Sequence, residues 1–290
     1  MKLYEIRKVN LPNRETLAYR KAGSGDKTVL LIHGNMSSSL HWLPAMERLE
    51  SGFTVYAPDL RGFGDSTYTT GFDSLAELSR DLEMFADALG IGGCVLCGWS
   101  TGGGVAMEFA AARPVQTDGL ILLDSVPPTG YPMFKKGPDL KAILTEPLKT
   151  KEDVANDPVQ VLPAVNALKA GDRAVMKSFW DFSIYNLKKP PDEEYEIYLD
   201  GIMKQRNLVD VDYALLTFNI TDRLPLINCP VAVMHGEKDM VVPYAWGLET
   251  HRLFGRHAKL ISFADAGHSP ITDVPDEFFE ALEDILRQMK

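Results

Sequence analysis

The spacing of hydrophobic positions changes along this chain, and it predicts which segments form strands and which form helices. Polar and apolar residues alternate in "KLYEIRKV" and "ETLAYRKAG", which predicts an antiparallel hairpin that turns at Pro12 and Asn13. Short, uniformly apolar runs follow at 28–33 and 53–59, and such runs are typical of parallel strands buried on both faces. The segment between them, "LHWLPAMERLES", has helical spacing.

Strand-like and helical segments continue to alternate in the next part of the chain. In "DSLAELSRDLEMFADALG", leucine and phenylalanine recur at helical spacing; Ser74 followed by Glu77 predicts a capping box, and Gly90 predicts the helix end. The strand "GCVLCGW", the helix "TGGGVAMEFAAARP" and the strand "DGLILLDS" come next. This order predicts an α/β fold with a mostly parallel, doubly wound sheet.

The alternation stops between Val126 and Asn228. This stretch shows no convincing β-run and contains amphipathic helical segments such as "RAVMKSFWDFSIYNL" and "DEEYEIYLDGIMKQR". The β/α alternation resumes with "NCPVAVMHG", "AKLISFADAGH" and a last helix in "PDEFFEALEDILRQM". We therefore expect one core domain formed by residues 1–125 and 229–290, interrupted by a helical cap at 126–228.

Composition and charge exclude some classes of function. The chain has 290 residues, of which 45% are hydrophobic and 24% charged, as is ordinary for a globular protein. A net charge of −10, without any Lys/Arg-rich run, argues against nucleic-acid binding. The N-terminal segment lacks the apolar core of a secretion signal, and no apolar stretch is long enough for stable membrane insertion, so we expect a cytoplasmic location. The sequence gives no indication of oligomeric state.

The cysteines are not expected to form a redox pair. Cys94 and Cys97 form a C-x-x-C within an apolar strand-like run, where residues three apart point to opposite faces. We therefore expect all three cysteines to be small buried hydrophobic residues.

The stretch "LCGWSTGGGVAMEF" contains the candidate nucleophile. Gly98 to Gly102 match G-x-S-x-G, with a predicted strand before and a predicted helix after. This setting predicts a sharp turn that lifts Ser100 Oγ above the C-terminal edge of the sheet, where ligands bind in open α/β folds. The alternative, a phosphate-binding glycine loop, would need a P-loop or G-x-G-x-x-G motif, and neither is present. A serine nucleophile also needs a base and a group that orients the base.

The candidate base is one of six histidines. His268 follows the last predicted strand and precedes the last helix, so its loop lies at the same sheet edge as Ser100. His33 and His235 end strands, and we expect them to pack or to bond to the backbone. Two acids remain open, because Asp239 and Asp124 both follow strands at this edge.

Five motifs together resemble a known family. "HGN" follows the first parallel strand and "PDLRGFGDS" the second; the G-x-S-x-G turn, "GEKDMVVP" and "AGHSP" follow later. Over nearly its full length the chain resembles serine hydrolases of the α/β-hydrolase fold, esterase- or lipase-like, with an inserted helical cap. In that family the acid belongs to a G-x-x-D-x-x-x-P stretch, which matches Gly236, Asp239 and Pro243. The resemblance thus implies a triad of Ser100, Asp239 and His268, with Asp124 as an accessory carboxylate.

The resemblance also implies an oxyanion hole, formed by the backbone N–H groups of Asn35 and Thr101. "HGNMSSSLHW" is further similar to a loop of haloalkane dehalogenases, whose asparagine side chain helps to hold a halide. Those enzymes carry an aspartate at the position of Ser100, so dehalogenation and epoxide opening are disfavoured. The "PDLRGFGDS" turn is interpreted as scaffold.

The expected reaction is hydrolysis of a carboxylic ester or lactone through an acyl-enzyme, with no metal and no organic cofactor. The residues expected to line the substrate pocket are Trp99, Phe134, Trp180, Phe182 and Tyr195. Intracellular polyhydroxyalkanoate depolymerases, which share the tryptophan before the serine, carbon–carbon hydrolases and cofactor-free perhydrolases resemble the chain equally at this level. A small-molecule receptor on a hydrolase scaffold is the alternative outside the enzymes.

Overall fold

A computed structural model describes residues 1–289. Its strands, in chain order, are β1 (Arg7–Asn10), β2 (Thr16–Ala22), β3 (Lys27–Ile32), β4 (Phe53–Pro58), β5 (Cys94–Trp99), β6 (Thr117–Leu123), β7 (Phe134–Lys136), β8 (Ala142–Pro147), β9 (Val231–Gly236) and β10 (Ala258–Phe263). Eight of them form one sheet in the order β1-β2-β4-β3-β5-β6-β9-β10. The β1–β2 and β2–β4 pairs are antiparallel and the others parallel, which confirms the predicted sheet and its N-terminal hairpin.

Helices cover both faces of this sheet. They are α1 (Leu43–Leu49), α2 (Leu75–Leu89), α3 (Thr101–Ala112), α4 (Lys151–Ala155), α5 (Leu162–Ala170), α6 (Arg173–Ser183), α7 (Asp192–Ile202), α8 (Leu208–Thr217), α9 (Tyr244–Phe254), α10 (Pro270–Asp273) and α11 (Pro275–Gln288), with 3-10 turns at Ser39–Trp42, Thr221–Leu226 and Gly255–His257. Side chains alternate along a strand, so Leu30 and Ile32 pack on the face with α2 and α3, whereas Val29 and Leu31 pack on the face with α1 and α11. The buried positions of β3 are therefore apolar on both faces of the sheet.

Two local predictions are corrected by the structure. Ser74 does not accept an N–H from the first turn of α2; instead Glu77 accepts hydrogen bonds from the Asp73 N–H (3.0 Å) and Ser74 Oγ (3.2 Å), so the capping box is absent. Gly90 does end α2, in the left-handed conformation with φ 66°. The inserted stretch also contains strands, the hairpin β7–β8, which sequence analysis missed because nearly every β8 residue is exposed.

The inserted stretch packs against both layers of the core. It leaves the sheet after β6 and returns at β9, which is the neighbour of β6. Apolar residues of α8, such as Val211 and Leu215, join the cluster that contains α2 and α3, while Trp180 and Tyr198 join the cluster on the other face. The cysteines at 94, 97 and 229 are free and buried, as predicted. None of the helices within residues 1–289 has the length and apolar character needed to span a membrane.

Candidate active site

Ser100 lies in the sharp turn between β5 and α3. Its backbone has φ 55° and ψ −120°, a region that non-glycine residues rarely adopt and that costs roughly 1–3 kcal/mol. The Ser100 N–H donates to the Leu123 carbonyl (2.9 Å), and the Ser100 carbonyl accepts from the N–H groups of Gly103 (3.0 Å) and Val126 (3.2 Å). These bonds to neighbouring elements hold the strained turn in place.

The glycines beside Ser100 are required by close backbone packing. A Cβ at Gly98 would fall 2.4 Å from the Gly102 carbonyl oxygen, and one at Gly102 would fall 2.3 Å from the Ile32 carbonyl oxygen. Backbone atoms cannot move aside as a flexible side chain can, so both positions exclude larger residues. A Cβ at Gly34 would approach Ser100 Cβ to 3.0 Å, which places the loop after β3 directly against the serine.

His268 and Asp239 meet at the same sheet edge. His268 lies in the loop after β10, Asp239 follows β9, and His268 Nδ1 is 2.7 Å from Asp239 Oδ2. The Nδ1–H therefore donates to the carboxylate, which leaves Nε2 as the free base of the ring. No hydrogen bond joins Nε2 to Ser100 Oγ among the described residues, although both side chains line one cavity. Such bonds are often long without substrate.

The environment of Asp239 favours its ionised form. Its second oxygen, Oδ1, accepts the N–H groups of Val241 (2.7 Å) and Val242 (2.9 Å). Burial alone would raise the pKa of Asp239, but the charges and hydrogen bonds of His268 and His235 outweigh burial and hold this pKa below its usual range. An ionised carboxyl group therefore lies against the His268 ring.

Asp124, the other candidate acid, is close by but has different partners. It is completely buried after β6 with φ 42°, and its Oδ1 accepts the Gly236 N–H at 2.8 Å. Within residues 1–289 its Oδ2 has no hydrogen-bond partner, and no bond joins it to His268. Burial first, and then the charge of Asp239, raise the pKa of Asp124 to about 7, against the opposing effect of His235. Of the two acids, the structure brings Asp239 against His268.

The other strand-end histidines bond to the backbone, as predicted. His33 Nδ1 is 2.8 Å from the Gly34 carbonyl, and its Nε2 accepts the Leu60 N–H at 3.0 Å. His235 Nε2 is 2.9 Å from the Val242 carbonyl. Asp124, His235 and Asp239 have possible ligand atoms within 4.8 Å of one another. Asp124 Oδ1, His235 Nε2 and Asp239 Oδ2 already contact protein groups, and we assign no metal there.

Two backbone donors in the loops beside the serine have no hydrogen-bond partner within residues 1–289. Neither the Asn35 N–H nor the Thr101 N–H donates a hydrogen bond within the described part of the chain. Thr101 is the first residue of α3, where the helix dipole adds positive potential. Unpaired N–H groups at this position suit an oxygen that gains negative charge.

Three hydrogen bonds hold the Asn35 side chain. Its Oδ1 accepts the Met36 N–H (2.9 Å) and Gln205 Nε2 (2.8 Å), and its Nδ2 donates to Asp212 Oδ1 (3.0 Å). Gln205 and Asp212 both belong to the inserted stretch, which is therefore hydrogen-bonded to the loop beside Ser100.

A cavity of about 300 Å³ opens onto Ser100 and His268. The predicted pocket residues Trp99, Trp180 and Phe182 lie in its wall. Most of the wall is apolar, and it includes Val126, Met133, Phe179, Ile184, Leu215 and Val242. Trp99 also donates from Nε1 to the His268 carbonyl (2.8 Å).

Two predicted pocket residues lie elsewhere. Phe134 belongs to the β7–β8 hairpin, where it pairs with Pro147. Tyr195 is buried within the inserted stretch, where its hydroxyl donates to Asp181 Oδ1 (2.9 Å). The prediction that they line the cavity is therefore corrected, because aromatic character alone does not say which way a cap residue faces.

Sequence analysis missed Asp212, the one acidic side chain in the cavity wall within residues 1–289. It lies in α8, in the segment "NLVDVDYALLTF". An acidic residue in a helical stretch is ordinarily exposed to solvent, so the sequence pattern did not predict Asp212 as a cavity residue. The available signal was its position in an otherwise strongly apolar segment.

The chain matches known proteins over most of its length. The family model described as "Alpha/beta hydrolase family" matches residues 29–281, and the chain belongs to this family. An uncharacterized protein of Mycobacterium bovis is 30% identical over 92% of this chain and 76% of its own length. The pimeloyl-[acyl-carrier protein] methyl ester esterase of Nitrosomonas europaea is 28% identical over 90% of this chain and 96% of its own. The structure of a thermophilic esterase from Thermogutta terrifontis, 24% identical, shares the fold with a TM-score of 0.76 over 98% of both chains.

Proposed function

We propose that this protein is a serine hydrolase that cleaves a carboxylic ester or lactone through an acyl-enzyme. The observation that carries the proposal is the 2.7 Å contact between His268 Nδ1 and Asp239 Oδ2 beside a serine in a strained turn, all at one cavity. Nucleophile, base and orienting acid are the three groups that acyl transfer needs. Relatives that are esterases support the same chemistry.

In the first half-reaction, His268 Nε2 takes the proton from Ser100 Oγ as Oγ attacks the carbonyl carbon. The carbonyl oxygen becomes an oxyanion, and the N–H groups of Asn35 and Thr101 donate to it. His268 then gives its proton to the leaving alcohol oxygen as the C–O bond breaks. The acyl group remains bonded to Ser100, and Asp239 stabilises the imidazolium that forms in between.

In the second half-reaction, water replaces the alcohol. His268 Nε2 takes a proton from this water, whose oxygen attacks the acyl carbon and forms a second oxyanion at the same N–H groups. The proton returns to Ser100 Oγ as the acyl–serine bond breaks, and the carboxylic acid leaves. Apart from the substrate and this water, every step uses side chains and backbone groups of this chain.

The cavity favours small, largely apolar substrates. About 300 Å³ is the lower end of the range for small-molecule sites, and the wall is mostly aliphatic and aromatic. We propose that residues 126–228 act as a cap that selects the substrate, since they supply Trp180, Phe182 and Leu215 to the wall. Residues 1–125 and 229–290, the proposed core, supply the reacting groups.

The test is hydrolysis of p-nitrophenyl butyrate by the parent and by Ser100→Ala. Ser37→Ala is the matched control, because its buried hydroxyl has no hydrogen-bond partner within residues 1–289. We expect Ser100→Ala to lose turnover, Ser37→Ala to keep it, and a fluorophosphonate to label Ser100. Substrate binding without turnover in the parent would favour the receptor alternative. Labelling at another serine would refute the mechanism.

A further inference from the structure

Asp212 is an unpaired carboxylate in the wall of the cavity. Its single hydrogen bond among the described residues comes from Asn35 Nδ2, and no lysine, arginine or histidine of residues 1–289 forms an ion pair with it. Asp210, two positions earlier on α8, is fully engaged: it pairs with Lys151 (3.0 Å) and accepts the Phe72 N–H (3.0 Å). The two acids on one helix thus differ sharply, and the one that faces the cavity lacks a counterion.

An unpaired carboxyl group in an apolar wall is costly for the free protein. Burial, and then the charge of Asp157, raise the pKa of Asp212 to about 7, so neutral and ionised forms coexist near neutral pH. A group of this kind, facing a cavity beside a nucleophile, is a candidate for ligand contact. A polar substrate group would supply the partner that the protein does not.

The hydrogen bond between Asn35 and Asp212 indicates how close Asp212 lies to the reacting atoms. In the proposed mechanism the Asn35 backbone N–H donates to the substrate carbonyl oxygen, and the Asn35 side chain donates to Asp212. One asparagine side chain therefore separates Asp212 from the carbonyl. A substrate group one or two carbons from that carbonyl lies within reach of the free Asp212 oxygen.

We propose that Asp212 selects esters that carry a hydroxyl group one or two carbons from the scissile carbonyl, with an apolar chain beyond it. This inference rests on the proposed function of the same cavity. A hydroxyl donates to an ionised carboxyl and accepts from a neutral one, so it fits both forms of Asp212. An ammonium group fits only the ionised form of Asp212, and the cavity wall within residues 1–289 has no second acidic side chain to pair with an ammonium group. The apolar wall residues contact the rest of the chain.

The experiment measures binding separately from turnover. Methyl 3-hydroxyhexanoate and methyl hexanoate are titrated into the Ser100→Ala protein, and the fluorescence of Trp99 and Trp180, which line the cavity, reports binding. We expect the hydroxy ester to bind about tenfold more tightly, the effect of one hydrogen bond to a charged group. Methyl 3-aminohexanoate is the third probe.

Substitutions of Asp212 in the same background identify the source of the preference. Asp212→Leu is expected to remove it, and Asp212→Asn, which retains hydrogen-bonding groups, to keep part of it. Asp210→Asn is the matched control on α8 and is expected to keep it in full. Thermal melting confirms folding, and Asp212→Asn replaces the leucine variant if that one does not fold.

Three results would overturn the inference. They are equal binding of the two esters, an undiminished preference in Asp212→Leu, and tighter binding of the amino ester than of the hydroxy ester. If Asp212 merely supported Asn35, its substitution would weaken both esters alike and leave their ratio unchanged, which is the second of these results. A parent that binds the hydroxy ester selectively but hydrolyses neither ester would refute the proposed function and leave the selectivity standing.

Discussion

The indole N–H of Trp99 donates a 2.8 Å hydrogen bond to the backbone carbonyl of His268. Trp99 is the last residue of β5, directly before the candidate nucleophile, and its ring centroid lies 5.6 Å from that of His268. The strand that carries the serine is thereby joined to the loop that carries the base. This bond fixes the backbone of His268, whereas Asp239 fixes its ring.

Loss of the Trp99 bond should impair turnover more than stability. In Trp99→Phe the His268 carbonyl loses its donor, so we expect kcat for p-nitrophenyl butyrate to fall about tenfold while the unfolding free energy falls by about 1 kcal/mol. Trp42→Phe is the control, because Trp42 is equally buried but its Nε1 has no partner within residues 1–289. Equal kcat values for the two variants would show that the bond does not position His268.

Substitution of the two acids should separate their roles. Asp239→Asn removes the carboxylate that orients His268, and we expect kcat to fall by about ten-thousandfold, as in other triads. Asp124→Asn keeps an oxygen for the Gly236 N–H, so we expect a loss of less than about tenfold. The measurement is kcat for both variants at one pH. The opposite ranking would assign the acid to Asp124.

Glycine at position 100 should stabilise the protein while it abolishes activity. Glycine relieves the strained backbone at φ 55°, and this gain outweighs the extra entropy of glycine in the unfolded chain. We therefore expect the free energy of unfolding of Ser100→Gly to exceed that of Ser100→Ala by about 1 kcal/mol. Urea denaturation of both inactive variants measures this difference. A less stable glycine variant would mean that the turn is not under strain.

The raised pKa of Asp212 predicts a pH dependence of stability. Because its folded pKa of about 7 exceeds the unfolded value of about 3.9, the native state binds more protons between these values, and the unfolding free energy falls as pH rises. The amide of the Asp212→Asn variant cannot titrate, so the parent should lose about 2 kcal/mol relative to this variant between about pH 4 and pH 7.5, after allowance for water in the cavity. Urea denaturation across this range measures the difference. A constant difference would place the pKa of Asp212 near its ordinary value.

The cavity rim should control the preference for chain length. Phe182 lines the cavity although its side chain is 72% exposed, so Phe182→Ala removes apolar contact only for chains long enough to reach it. We expect kcat/KM to fall for p-nitrophenyl octanoate and decanoate, with little change for acetate, since each buried methylene contributes about 0.8 kcal/mol. Phe134→Ala is the control outside the cavity. Identical profiles for the two variants would exclude the rim from recognition.

The arrangement of the sheet and its turn could be predicted because they follow from local rules. Strands buried on both faces are mostly apolar, and the serine turn requires glycine at fixed positions. The predicted strand at 28–33 therefore differs from the observed Lys27–Ile32 by one residue at each end, and the predicted strand at 53–59 differs from Phe53–Pro58 by one residue at its C-terminal end. The β7–β8 hairpin was not predicted, since β8 is largely exposed and an exposed strand needs no apolar run.

The cavity wall could not be predicted, because it depends on contacts between distant parts of the chain. Asn35 and Asp212 are 177 positions apart, and no local pattern links them. Phe134 and Tyr195 are as aromatic as Trp180, yet of these three Trp180 alone reaches the cavity. The direction in which a cap side chain points is decided by packing of the cap helices, which the spacing of residues alone does not describe.

For an engineer, the packing around the serine turn divides the protein into fixed and variable positions. A new Cβ at Gly98 or Gly102 would lie within 2.4 Å of a backbone oxygen, so a randomised library that includes these positions would consist largely of misfolded proteins. Phe182 and Met240, by contrast, line the cavity with largely exposed side chains and can be changed without opening the core. A search for altered substrate range should therefore begin at these two rim positions.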